Sequence, residues 1–132
     1  MSLERLMPMR PHRVLLIDDD PVGLMARQAL LESRGYEVVT SDNDVSALET
    51  LKRTPVHLVI SDHFLRGTTG GQVAARIKEV APDLPVLVVS GAVQHELPAG
   101  FLVGADRFVS KAEGPDALLA TVAAMIADRQ TS

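Results

Sequence analysis

The chain has 132 residues, no cysteine and a formal net charge of −4, with 46% hydrophobic and 23% charged residues. That is the size of one ordinary globular domain, able to bury a core without a metal or a disulfide; the lack of cysteine excludes a disulfide framework and thiolate metal sites, and the acidic balance gives no footprint for nucleic acid. No apolar run approaches the roughly 20 residues of a membrane helix, and the opening MSLERLMPMRP lacks the uninterrupted apolar stretch of a secretory signal, so a cytoplasmic protein with no membrane partner is expected.

Residues 1–12 carry Pro8 and Pro11 and read as a loose arm ahead of a domain over 13–129. Residues 13–17 (RVLLI) form the first predicted strand. A helix over 21–34 follows, with Asp20 as cap, Pro21 in the first turn, an apolar stripe of Val22, Met25, Ala26, Ala29 and Leu30, and Gly35 as stop. Residues 36–40 are a second strand. A second helix runs over 44–53, capped by Asp42 or Asn43, with Val45, Leu48 and Leu51 inward. A third strand, 57–61, leads through a loop, 62–70, into a third helix over 71–80. That helix turns Val73, Ala74, Ile77 and Val80 inward and is ended by Pro82. Strands follow at 85–89 and 107–110. The last helix starts at Pro115 and puts Leu118, Leu119, Val122, Met125 and Ile126 on one face. The rhythm calls for one more helix across 92–105. Pro98 and Gly100 interrupt it, and proline inside a helix costs about 3 kcal/mol, so a short turn or a kinked helix is expected there. Repeated β-α units imply a parallel sheet with right-handed crossovers and helices on both faces.

The strands end in chemistry. The first stops at Asp18, Asp19 and Asp20, the third at Asp62, the fourth at Ser90 and the fifth at Lys111. In an open parallel sheet all these ends lie on one edge, where such folds bind ligands. Each residue also has a plain structural reading: an acidic triplet as a solvated loop with a cap, Asp62 as a turn former, Ser90-Gly91 as a turn, Lys111 as a surface residue. The cap reading suits Asp20. It suits Asp62 poorly, because the next helix begins about nine residues later. Clustered carboxylates repel unless neutralised, and Mg2+ favours oxygen ligands and phosphate. A carboxylate such as Asp62 can act as a nucleophile toward phosphorus, with Ser90 as a hydroxyl donor and Lys111 neutralising transition-state charge.

In the motifs LLIDDDP, LVISDHFLRGTTGG, VLVVSGA and GADRFVSK the chain resembles the receiver domain of two-component response regulators, over essentially all of 13–129. The resemblance implies a flavodoxin-like doubly wound five-stranded sheet in the order 2-1-3-4-5. It implies Asp62 as phosphoacceptor for the phosphohistidine of a sensor histidine kinase or phosphotransfer protein. It further implies Mg2+ held by Asp18, Asp19, Asp62 and the backbone carbonyl of Phe64, with Asp18 acting through water. Lys111 would pair with the phosphoryl group, Ser90 and Phe108 would form the switch, and Gly70 would be the family's glycine eight residues beyond the phosphoacceptor. A protein that phosphorylates only itself is a signalling domain rather than an enzyme; an aspartyl-phosphate phosphatase would need an acid where Phe64 stands. A downstream protein target, or an output domain absent from this chain, would read the switch, and the last strand and helix could support a homodimer.

Three departures from the family pattern stand out. Leu65 and Arg66 replace a Met-Pro pair. Ala112 replaces the proline after the lysine, so the Lys111–Ala112 bond is expected to be trans. Pro98 and Gly100 interrupt a face that receivers commonly use for output. These favour an alternative, a degenerate receiver that serves as a phosphorylation-independent interaction module. Phe64 cannot orient a hydrolytic water, which points to slow self-dephosphorylation. His12, His57, His63 and His95 have no metal-ligand spacing and read as structural or surface residues.

Overall fold

A computed structural model describes residues 11–91 and 104–131. The loose arm over 1–12 and the interrupted segment over 92–105 fall almost wholly outside the described residues. Five parallel strands form the central sheet: β1 Arg13–Ile17, β2 Glu37–Ser41, β3 Leu58–Asp62, β6 Val86–Ser90 and β7 Arg107–Ser110, in the order β2-β1-β3-β6-β7. This is the doubly wound arrangement expected from the sequence. The helices are α1 Pro21–Glu32, α2 Asp44–Arg53, α3 Gly70–Val80 and α4 Pro115–Thr131. A feature absent from the sequence reading is a hairpin of two-residue strands, β4 Phe64–Leu65 and β5 Thr68–Thr69, in the stretch expected to be a loop. Gly67 makes its turn with φ at 77°, a conformation that L side chains rarely adopt.

Side chains alternate across the sheet and build a core on each face. Val14, Leu16, Leu58, Ile60, Leu87 and Val89 pack with Leu31 of α1 and with Leu118, Leu119, Val122, Met125 and Ile126 of α4. On the opposite face Leu15, Ile17, Val59 and Val86 pack with Ala47 of α2 and with Val73, Ala74 and Ile77 of α3. The face expected of α4 is the face it buries.

Of the stripe expected of α1, only Leu30 packs on the core; Val22 is 76% and Met25 69% exposed, and Ala26 and Ala29 are exposed too. The inward face is formed by Leu24, Leu30 and Leu31, with Arg27 and Gln28 half-buried beside them. Val45 and Val80 are likewise exposed. The inward side of α2 centres on Ala47, with Leu48 and Leu51 packed beside it, and Ala81, one residue beyond Val80, makes the core contact.

The strands also run one residue later than expected at β2, β3 and β6. Ladder pairing explains the shift: Ser41 pairs with Ile17, Asp62 with Val89, and Ser90 with Ser110. The polar residues are thus the last rungs of the sheet rather than the first residues after it. At the opposite edge polar groups clasp the chain. Arg13 donates to the Pro55 carbonyl at 3.0 Å and pairs with Glu37 at 3.1 Å. Arg129 donates to the His57 carbonyl at 2.8 Å. Lys78 bridges the Leu84 carbonyl and Asp106.

Two predictions follow from the packing next to β3. A Cβ at Gly70 would lie 2.7 Å from the Asp62 carbonyl oxygen and 3.0 Å from the His63 Cα, both backbone atoms. Gly70→Ala should therefore cost about 1–3 kcal/mol of stability in urea unfolding, as overpacking does; an unchanged midpoint would show that the contact relaxes. His63 is fully buried, and burial lowers its imidazole pKa against the smaller opposing pull of Asp62. The neutral ring therefore stabilises the fold above the unfolded value near 6.5, and this is lost as pH falls below it. Urea unfolding at pH 7.5 and 5.5 should show stability declining toward acid, with a smaller decline in His63→Leu; equal declines would assign the effect elsewhere.

Candidate functional site

Apolar strands carry two carboxylates into the carboxyl edge of the sheet. Asp62, the last rung of β3, is 8% exposed, and Asp18, immediately after β1, is 1% exposed. The Asp18 N–H continues the ladder by donating to the Ser41 carbonyl at 3.1 Å. Its Oδ1 accepts from the Asp20 N–H at 2.9 Å, which closes the acidic loop on itself. Asp20 then caps α1 by accepting from the N–H groups of Val22 and Gly23, each at 3.3 Å, so its structural reading is sufficient. Asp19 is half-buried and points another way: its Oδ2 accepts from the Arg66 N–H at 2.8 Å. That bond ties the acidic loop to the β4–β5 turn.

Two cations meet the buried carboxylates. The Lys111 ammonium lies 2.8 Å from Asp62 Oδ1. The Arg27 guanidinium donates to Asp18 Oδ2 from both terminal nitrogens, at 3.0 and 2.8 Å. The second of these nitrogens is also 3.9 Å from Asp62 Oδ1. Burial pushes the Asp18 carboxyl above its ordinary pKa, and the neighbouring Asp62 charge adds to this. The Asp20 N–H bond, Arg27 and Lys111 oppose the shift.

Arg27 was not among the residues singled out in the sequence. Its signal was present but weak: with Leu24, Gln28 and Leu31 it occupies one helical face, four residues after Gly23, on the helix that follows the acidic triplet. Gly23 makes room for it. A Cβ there would be 3.0 Å from Asp18 Oδ2 and 3.3 Å from an Arg27 terminal nitrogen.

The remaining expected site residues have these places. Ser90 is fully buried as the last rung of β6, next to Ser110. Phe108 is half-buried on β7, paired with Val88. Phe64 is 58% exposed at the start of the hairpin, its ring edge-on to His63 at 4.9 Å. The peptide bond between Lys111 and Ala112 is trans. The Ala112 N–H donates to Ser110 Oγ at 3.2 Å, a bond that proline could not make, and so closes a 3-10 turn over Lys111–Glu113. Among the described residues no three Asp, Glu or His side chains gather about one point, and no helix is long and apolar enough to cross a membrane.

The sequence model of the response regulator receiver domain matches residues 14–123. The chain is 36% identical over 111 residues to transcriptional regulatory protein GlrR of Escherichia coli K12, covering 83% of this chain but only 25% of that protein. It therefore spans about a quarter of that relative's length. Among solved structures, the signal receiver domain of an HD domain-containing protein from Pseudomonas fluorescens superposes with a TM-score of 0.83 at 26% identity, over 95% of this chain and 93% of that one. Response regulator protein TrrA of Thermotoga maritima, solved in complex with Mg(2+)-BeF, superposes with a TM-score of 0.78 at 26% identity, over 86% of this chain and 98% of that one. Fold and sequence thus agree, and the chain belongs to the response regulator receiver domain family.

Proposed function

We propose that this receiver domain is a phosphorylation-controlled switch in which Asp62 accepts a phosphoryl group from the phosphohistidine of a sensor histidine kinase or phosphotransfer protein. One observation carries the reading: a buried strand-end carboxylate whose Oδ1 lies 2.8 Å from the Lys111 ammonium. In the transfer an Asp62 oxygen forms the new bond to phosphorus as the phosphorus–nitrogen bond breaks and the imidazole leaves. Lys111 holds the carboxylate beforehand, then follows the negative charge onto the phosphoryl oxygens. Ser90, buried at the end of the adjacent strand, supplies a hydroxyl to one of those oxygens. Phe108, half-buried on the next strand, would turn inward as Ser90 shifts. The acyl phosphate adds charge and acceptor oxygens at one spot, which biases a two-state element. A downstream protein, or an output domain in a longer protein, reads that bias.

The carboxylates of Asp18, Asp19 and Asp62 and the Phe64 carbonyl are all hard oxygen donors, the set that suits Mg2+. When bound, the ion supplies positive charge against the repulsion between carboxylate and phosphoryl oxygens.

A second reading, a receiver that engages its partner without taking phosphate, is favoured by the Arg27 guanidinium on Asp18. Incubation with acetyl phosphate and Mg2+, followed by intact-mass measurement, separates the two. The wild-type chain should gain one phosphoryl group and Asp62→Asn none; an unmodified wild-type chain would leave the second reading. Because Phe64, two residues after Asp62, is exposed and has no group to orient water, Phe64→Asn should shorten the phosphorylated lifetime, by roughly tenfold for each 1.4 kcal/mol removed from the hydrolytic barrier. Mass spectrometry over time after removal of the donor measures this, and an unchanged lifetime would clear Phe64 of the role.

A further inference from the structure

The Arg27 guanidinium is built into the acidic pocket. Its side chain is 13% exposed and its partner Asp18 carboxylate 1%. It makes two short bonds to one Asp18 oxygen and reaches within 3.9 Å of Asp62. Gly23 leaves the space it fills: a Cβ there would lie 3.0 Å from Asp18 Oδ2 and 3.3 Å from an Arg27 terminal nitrogen.

Asp18 and Asp62 are also the carboxylates that would meet a divalent ion. With Arg27 and Lys111 in place, the two buried carboxylates already face two cations, so an incoming dication meets oxygens whose charge is already countered. We propose that Arg27 is a resident counter-ion that competes with the divalent metal for the Asp18 and Asp62 oxygens, so that metal binding requires the guanidinium to withdraw. This rests on the reading of the pocket as a receiver site, and shifts occupancy of that site to higher free Mg2+ concentration than it would need without the arginine.

The test measures metal, not phosphate. Mn2+ binding to the full chain, followed by the loss of free-ion electron paramagnetic resonance signal, should be at least tenfold tighter in Arg27→Leu and Arg27→Gln than in wild type, with Arg27→Lys between them. Mg2+ should displace the Mn2+ in every case. Equal or weaker binding in the neutral variants, with folding confirmed by circular dichroism, overturns the proposal. Removing the arginine could unfold the chain, so the wild type is tested directly as well. The side-chain Nε–H resonance of Arg27, assigned by its loss in Arg27→Lys, should shift as Mg2+ saturates the protein. Saturation of the wild type by Mg2+ with that resonance unmoved also overturns the proposal. Failure of acetyl phosphate to modify the wild-type chain would strike the phosphoacceptor reading alone, since none of these metal measurements involves phosphate.

Discussion

Two carboxylates buried at the end of apolar strands are the constraint around which this molecule is arranged. An ionised carboxylate is poorly tolerated in a low-dielectric interior without a partner, and two like charges about 4 Å apart at an effective dielectric near 20 repel by about 4 kcal/mol. Asp18 and Asp62 are tolerated because cations arrive from distant parts of the chain: Arg27 from the first helix and Lys111 from the turn after the last strand. Breaking the buried Arg27–Asp18 pair by removing the arginine costs about 3–5 kcal/mol, since the aspartate charge is left stranded; the Lys111–Asp62 pair, open to solvent on the lysine side, is worth less. These pairs therefore help fix how α1 and the last strand sit on the sheet.

Much of the architecture was legible because it depends on alternation. Four apolar runs broken by polar residues, separated by helical stretches, leave little choice but a parallel sheet covered on both faces. What failed was finer. Ser41, Asp62 and Ser90 look like residues that follow a strand, yet each pairs with a neighbouring strand, and hydrogen bonding, not polarity, decides where a strand ends. The β4–β5 hairpin escaped because strands of two residues carry no periodicity.

The site was legible where a residue's place on the sheet edge was enough, as for Asp62 and Lys111, which do meet. Asp19 was grouped with Asp18, but its carboxylate turns to the Arg66 N–H, a backbone partner that no residue pattern announces. Arg27 was hidden for the opposite reason. Hydrophobic periodicity treats arginine as a residue that faces water, so it selected Val22, Met25, Ala26, Ala29 and Leu30 as the inner stripe, of which Leu30 alone packs on the core, beside Leu24 and Leu31. Arg27 sits next to that face and reaches the buried Asp18 from it. A charged residue at helical spacing behind an acidic strand end is the kind of case in which polarity misleads about direction.

The polar clasp at the far edge of the sheet, where Arg13, Arg129 and Lys78 hold backbone carbonyls, has a practical bearing. In β1, β3, β6 and β7 the candidate site residues lie at or just past the carboxyl end and these clasps at the amino end, about 17 Å away for a strand of five residues. Engineering aimed at heat resistance, or at attaching a tag or reporter, can be confined to the fastened end. The chemistry at the other end would then be left as it is.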